Sequence, residues 1–285
     1  MSNFQSIYSF SPELTITISI LLIIISNLLK KSNQFLSNMM MVSMISTMLM
    51  LYLTGSNNQA LFLNLIVIDP FSTFFKVLIL LSSFSIFIIS LQDLEIESDN
   101  KLEFYILFLS TLLGMFLLVS SINLLMLYLA LELVSIPSYI LAGLNKNDQK
   151  SNEASLKYVI FGSFASGIML FGMSWLYGIS GSLNIYEIHL ALQNSGNPFF
   201  IYIAFIFILS GFGYKISMFP FHYWTPDVYE GSPTIITAFF SIAPKMAGIG
   251  AMIRAIVSIF TYEGTIIDYN SYIQNVNWTL IIAVL

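Results

Sequence analysis

The sequence predicts an all-α, polytopic transmembrane helical bundle of about nine spans, and three observations predict it. Of 285 residues, 57% are hydrophobic and 9% charged, whereas an ordinary soluble domain carries roughly 25% charge. The apolar residues fall into runs near the ~20 residues that a membrane-crossing helix needs. These runs are too long for barrel strands, and no alternation of apolar and polar residues is sustained.

Composition also excludes several function classes. Ten Lys and Arg against 15 Asp and Glu give a net charge of −5, with no basic patch for nucleic acid. The absence of cysteine excludes disulfides, iron–sulfur clusters and thiolate metal sites on this chain. His189 and His222 are the two histidines, too few for conventional haem ligation unless they face each other. No phosphate loop, dinucleotide fingerprint, metal triad or nucleophile elbow is present.

The spans follow in order. Leu14–Leu29 is closed by Lys30 and Lys31, and Met39–Leu53 by Gly55-Ser56-Asn57-Asn58. Phe71–Leu91 follows Asp69-Pro70 and stops at the charged stretch Gln92–Glu103. Phe104–Val119 and Asn123–Leu144 are separated by a tight turn, Ser120-Ser121-Ile122. Tyr158–Ile179 is sixth, Phe199–Phe221 seventh with Pro220 inside it, and Thr234–Phe260 eighth with Pro244 and Lys245. Trp278–Leu285 begins a ninth. Met1–Ser11 has no positive charge, so it reads as neither a secretory signal nor a transit peptide, and the first span is expected to be retained. The high Ile, Phe, Asn, Met, Ser and Tyr content resembles translation from an AT-rich genome and hints at an organelle gene.

Orientation follows from the cations. Lys30, Lys31, Lys101, Lys146 and Lys150 fall on one side if the spans alternate. The opposite loops, Gly55–Asp69, Ser120–Ile122, Ser180–Pro198 and Thr261–Asn277, contain no Lys or Arg. The N-terminus is therefore expected outside.

Four charges interrupt the apolar runs: Glu132 in span five, Lys157 at the start of span six, Lys215 in span seven and Lys245 in span eight. An ionised group at the bilayer centre costs roughly 2.5–3.5 kcal/mol on insertion scales, so it persists where it pairs or lines an aqueous path. Glu132 alone reads as either a structural ion pair or a functional carboxylate. One carboxylate cannot neutralise both Lys215 and Lys245, so one lysine must be neutral part of the time, which suits lysine chemistry. Lys157 could snorkel to the interface, as Lys76 and Arg254 near the ends of their spans are expected to do. Pro137, Pro220 and Pro244 each lie near one of these charges, and irregular backbone at membrane depth is tolerated where it lines a cavity. His222 is either a proton relay or an interfacial residue beside Tyr223 and Trp224. His189 sits in a polar outer loop and is expected to be inert.

Three stretches carry a resemblance. They are Asn123–Tyr139 around Glu132, Glu153-Ala-Ser-Leu-Lys157-Tyr158 with Gly172 and Tyr177-Gly178, and Gly213-Tyr-Lys215-Ile-Ser-Met-Phe-Pro220-Phe-His222-Tyr-Trp224-Thr-Pro226-Asp227 through Glu230-Gly231-Ser-Pro233. Ser241-Ile-Ala-Pro-Lys245 extends the last. Together they resemble the antiporter-like membrane subunits of respiratory complex I, NADH:ubiquinone oxidoreductase. The resemblance is closer to the subunit-2 branch than to the subunit-4 and subunit-5 branches, in the plant, protist or bacterial form with three extra N-terminal spans.

The resemblance implies three N-terminal helices over 1–103 and a first antiporter-like repeat over 104–260, with span seven broken. A loop and a truncated ninth helix would occupy 261–285. It implies a Glu132–Lys215 ion pair as a switch, Lys245 passing protons onward, and Lys157 near that path. It implies no cofactor on this chain, with NADH, FMN, iron–sulfur clusters and ubiquinone on other subunits, and no redox chemistry here. The implied partners are neighbouring antiporter-like subunits, other membrane subunits, lipids and a separate polypeptide supplying the second repeat, because the chain ends as span nine begins. The implied location is the mitochondrial inner membrane with the N-terminus on the intermembrane-space side, or a bacterial plasma membrane. The rival functions are a subunit of a multi-subunit sodium/proton antiporter and a scaffold subunit that no longer pumps.

Overall fold

A computed structural model describes residues 3–29, 32–55, 58–92, 95–96, 100–193 and 198–261. Eleven α-helices, a two-stranded hairpin and a terminal π-helical turn, Val257–Thr261, are present among them. Helix is the form an apolar run must take in lipid, because each backbone group then finds its partner within the same segment. Seven helices are long and apolar enough to span a membrane: α2 (Ser11–Leu28), α3 (Asn33–Thr54), α4 (Pro70–Ser90), α5 (Lys101–Ser120), α6 (Leu124–Ala142), α7 (Gln149–Ser180) and α11 (Thr234–Ile256). A short α1 (Asn3–Ser9) precedes them. The seventh expected span, Phe199–Phe221, stops early as α9 (Pro198–Lys215); a short α10 (Trp224–Gly231) follows beyond it, and α8 (Ile185–Gln193) lies in the connection before it. The expected ninth span and Lys30–Lys31 lie outside the described residues.

The helix ends are specified locally. Asp69 accepts a hydrogen bond from Ser72 N at 2.7 Å, and Ser72 Oγ accepts from Asp69 N at 3.1 Å, a capping box that starts α4 at Pro70. Asn123 Oδ1 accepts from Leu125 N and Met126 N to start α6. Gly181 closes α7 with φ +70°, a conformation that costs a β-carbon-bearing residue 1–2 kcal/mol.

Hydrogen bonds and ion pairs sort the connections into two ends. At the basic end, Lys146 pairs with Glu103 at 3.1 Å, Lys150 pairs with Glu230 at 3.1 Å, and Asn100 Nδ2 donates to Leu144 O. Glu95 caps α11 there by accepting from Thr234 N at 2.7 Å. At the far end, Ile122 N donates to Leu65 O, Leu124 N to Leu183 O and Ile185 N to Ile122 O. The expected simple turn at Ser120–Ile122 is thus knitted into its neighbours. The hairpin Gln59–Leu61/Ile66–Ile68 also lies at this end, in what reads from sequence as a loop without Lys or Arg. Its β-branched run Ile66-Val67-Ile68 is the local signal for it.

Helix α5 is innermost, with Phe108, Leu109, Leu112, Met115 and Phe116 buried. Gly114 allows α6 to approach: a β-carbon there would lie 2.8 Å from Val134 N, the small-residue crossing typical of membrane helices. Helix α2 is peripheral and exposes Leu21, Leu22, Ile25 and Leu28.

Lys76 and Arg254 do not snorkel. Lys76 Nζ lies 2.6 Å from Glu13 Oε1, with both side chains buried between α2 and α4. Arg254 makes a bidentate pair with Asp69 at 2.8 and 2.9 Å, donates from Nε to Val119 O at 3.0 Å and covers the Phe71 ring. Each cation finds a carboxylate on a neighbouring helix end, so burial replaces the interface as its resting place. Burial alone would raise the Asp69 carboxyl; the Arg254 guanidinium and the Ser72 hydrogen bonds outweigh it and hold the carboxyl below its ordinary range.

Candidate functional site

Helix α9 stops at Lys215, five residues before Pro220, rather than running to Phe221 as the apolar run suggests. Pro220 has no N–H to give, and a residue before proline is pushed away from helix. Three of the freed carbonyls find partners beyond the break. Phe212 O accepts from Ile216 N at 3.0 Å and Gly213 O from Met218 N at 2.7 Å. Tyr214 O accepts from Ser217 N at 3.1 Å and from the Trp224 indole Nε1 at 3.1 Å. Trp224 is stacked on Tyr158, with ring centroids 4.6 Å apart, and Tyr214 Oη donates to Tyr158 O at 3.1 Å. An aromatic block on α7 and α10 thus fixes the open end of α9, and Lys215 is the residue at that end.

Lys215 is 3% exposed. Its Nζ donates to Ser135 Oγ of α6 at 3.0 Å, and its stem lies against Gly248 of α11, where a β-carbon would come within 3.3 Å of Lys215 Cγ. Glu132 lies one helical turn before Ser135, about 12 Å along α6 from its first residue. It is partly exposed and within electrostatic reach of Lys215. No nitrogen–oxygen contact within 4.0 Å joins the two, so the expected ion pair is open in this structure. Glu132 also acts electrostatically on Tyr128, Tyr139 and Tyr214.

Lys245 is eleven residues into α11, about 16 Å from the basic end. Its Nζ lies 5.4 Å from the centre of the Tyr229 ring, a cation–π contact. The Tyr229 hydroxyl is buried and makes no hydrogen bond. Pro244 sits inside the continuous α11, and Pro137 inside α6, without breaking either.

Lys157 is placed apart from this buried group. It is 36% exposed and its Nζ contacts Glu153 at 2.6 Å and Asp227 at 2.6 Å, in a basic-end cleft that also holds Lys150 and Glu230. His222 is half-buried between Phe219 and Tyr223, its ring stacked on Tyr223 at 5.0 Å, and its Nδ1 is buried with no partner.

Residues 121–283 match the family described as NADH:quinone oxidoreductase/Mrp antiporter, TM. The chain belongs to this family. Within it, the chain is 35% identical to NADH-quinone oxidoreductase subunit N of Anaeromyxobacter sp. (strain Fw109-5), over 99% of this chain and 57% of that protein. It is 46% identical to NADH-quinone oxidoreductase subunit N 2 of Chloroherpeton thalassium (strain ATCC 35110 / GB-78), over 68% of this chain and 38% of that protein. Among solved structures, a chain of respiratory complex I from Thermus thermophilus with bound aureothin superposes with TM-score 0.74 at 29% identity, covering 85% of this chain and 52% of that one. The Mrp complex from Dietzia sp. DQ12-45-1b gives TM-score 0.74 at 20% identity, over 90% of this chain and 49% of that one, a likeness of fold alone. The chain therefore spans about half the length of the relatives it matches. The antiporter-like family and the polytopic helical bundle expected from the sequence are both borne out.

Several residues of this antiporter-family chain escape a sequence reading. Ser135 is a small polar residue in an apolar helix, and only its spacing of three from Glu132 marks it. Glu13 and Asp69 look like ordinary helix-start acids, and nothing local assigns them Lys76 and Arg254. His189 is not in an open loop: it is 4% exposed on α8, and its Nδ1 is 2.9 Å from Ile259 O of the π-helical turn.

Proposed function

We infer that this chain works as a proton-translocating membrane subunit of a NADH:quinone oxidoreductase, with Glu132, Lys215 and Lys245 as its proton-carrying groups. The observation that carries the reading is Lys215 itself, a buried lysine at the unwound end of a helix. It rests on a neutral hydroxyl, with a carboxylate near enough to compete for it. At ~6 Å and an effective dielectric of ~20, Glu132 would attract the charged lysine by about 3 kcal/mol. That is roughly a hundredfold bias between paired and parted states. Pairing loads Lys215 with a proton; parting lets the proton pass to Lys245, which would accept it as a neutral amine beside Tyr229. Lys157, with Glu153 and Asp227, would stand at the aqueous mouth of the basic end, and the Nδ1 of His222 would serve as a further relay group.

In this reading the energy comes from quinone reduction on other subunits, which hold the NADH, flavin, iron–sulfur and ubiquinone sites. Neighbouring antiporter-like subunits and a polypeptide supplying the second repeat complete the path. The relatives named above are bacterial, which favours a plasma membrane; the mitochondrial inner membrane remains the location suggested by composition. In either, the end bearing Lys146 and Lys150 would face the cytoplasm or matrix. The family's description also covers Mrp antiporters, so the rival reading is a sodium/proton antiporter, which sodium-dependent transport without NADH would reveal.

The test is Glu132→Gln and Lys215→Met in the assembled complex. Both keep volume and remove charge. Proton pumping in sealed vesicles is expected to fall severalfold with the complex intact. Wild-type pumping and NADH oxidation in both variants would refute the relay.

A further inference from the structure

The Lys215–Ser135 contact carries an inference that rests on the relay reading and goes beyond it. Ser135 is 2% exposed and faces Lys215 from the same side of α6 as Glu132. Its Oγ donates its proton to Leu131 O at 2.8 Å. The hydroxyl hydrogen is therefore committed to the helix backbone, and the oxygen lone pairs remain for Lys215. Ser135 is held as an acceptor only.

We propose that Ser135 is the second berth of Lys215: a neutral acceptor that holds the lysine off Glu132 during the step in which its proton leaves. The chemistry distinguishes the two berths. A carboxylate binds an ammonium far better than an amine, because the ammonium adds full charge to the hydrogen bond. A hydroxyl oxygen accepts an N–H from either form. Lys215 at Glu132 therefore keeps its proton, whereas Lys215 at Ser135 gives up far less on losing it and can still donate an N–H to the hydroxyl oxygen. The transfer balances: the Lys215 ammonium becomes an amine, the Lys245 amine becomes an ammonium, and Ser135 neither gains nor loses a proton.

The surroundings fit a short swing between fixed points. The end of α9 at Lys215 is anchored by the hydrogen bonds to the Phe212, Gly213 and Tyr214 carbonyls, and the Lys215 stem is confined by Gly248. The Nζ end is left as the moving part, with its two acceptors one helical turn apart on α6. Ser135 is accordingly a positioning residue, acting through where it holds Lys215.

The test uses three replacements in the assembled complex, with pumping measured in sealed vesicles per NADH oxidised. Ser135→Cys keeps the volume and gives up a strong acceptor; Ser135→Ala removes the acceptor; Ser135→Thr keeps the hydroxyl. Pumping is expected to fall severalfold, and alike, in Ser135→Cys and Ser135→Ala, and to recover in Ser135→Thr. If Ser135→Thr does not assemble, agreement between the first two variants, both assembled and both impaired, supports the proposal. Wild-type pumping in Ser135→Cys overturns it, since a volume effect alone would then explain any loss in Ser135→Ala. Failure of Ser135→Thr to restore pumping in an assembled complex also overturns it. Glu132→Gln is measured alongside. If it is impaired while Ser135→Cys is not, the berth is wrong and the relay stands; if Glu132→Gln also pumps normally, the relay itself has failed.

Discussion

Replacing Asp69 by Asn removes one charge from a pair that is 1% exposed on both sides. The Asn side chain keeps the helix-starting hydrogen bond to Ser72 N, so the cap on α4 survives. The Arg254 guanidinium does not fare as well. It keeps Val119 O and the Phe71 ring but loses a doubly hydrogen-bonded carboxylate. Removing one partner of a buried pair costs about 3–5 kcal/mol, mostly as the penalty for the stranded charge. That is two to four powers of ten in the folded population. Arg254→Met strands Asp69 instead and leaves Val119 O without its donor, with a loss of the same order. The double replacement strands no charge and is expected to be milder than the sum of the two, the signature of direct coupling. The assay is thermal unfolding of the detergent-solubilised assembly, followed by retention of this subunit. Because the Asp69 carboxyl is held below its ordinary range, the stability it contributes is present above the unfolded value near ~3.9. That stability is lost only as pH falls through the lowered folded value, so mild acid should not open the pair. Single variants as stable as the native chain, or strictly additive losses in the double variant, would refute the reasoning.

Two further outcomes follow from close approaches and from the two ends of the bundle. Gly248→Val places branched carbon where a single β-carbon already meets Ile216 Cγ2 at 2.9 Å and Lys215 Cγ at 3.3 Å; it is expected to lower pumping severalfold in an assembled complex, and native pumping would count against a confined Lys215 stem. Single cysteines placed at Lys150 and at Ser182 of this cysteine-free chain should react with an impermeant thiol reagent from opposite sides of the membrane, and labelling from the same side would contradict the alternation of the helices.

The sequence by itself determined the class and the order of the helices long enough to cross a membrane. Apolar runs of membrane length have one way to satisfy their backbones in lipid, so composition and run length suffice. It also marked Glu132, Lys215 and Lys245, because a charge in such a run is costly enough to need a reason. What it could not supply was partnership. Lys76 and Arg254 read as snorkelling cations because their acids, Glu13 and Asp69, stand 63 and 185 residues away in the chain and look like ordinary helix starts. The end of α9 at Lys215 was hidden inside a continuous apolar run. It is fixed by Trp224 capturing the Tyr214 carbonyl from beyond the break. Most telling is Ser135, whose hydroxyl is unremarkable until α9 brings Lys215 to within 3.0 Å of it. Hydropathy is a property of a residue and its neighbours along the chain. Charge pairing and helix breaks depend on groups brought close only when the helices pack, and so only the tertiary structure decided them.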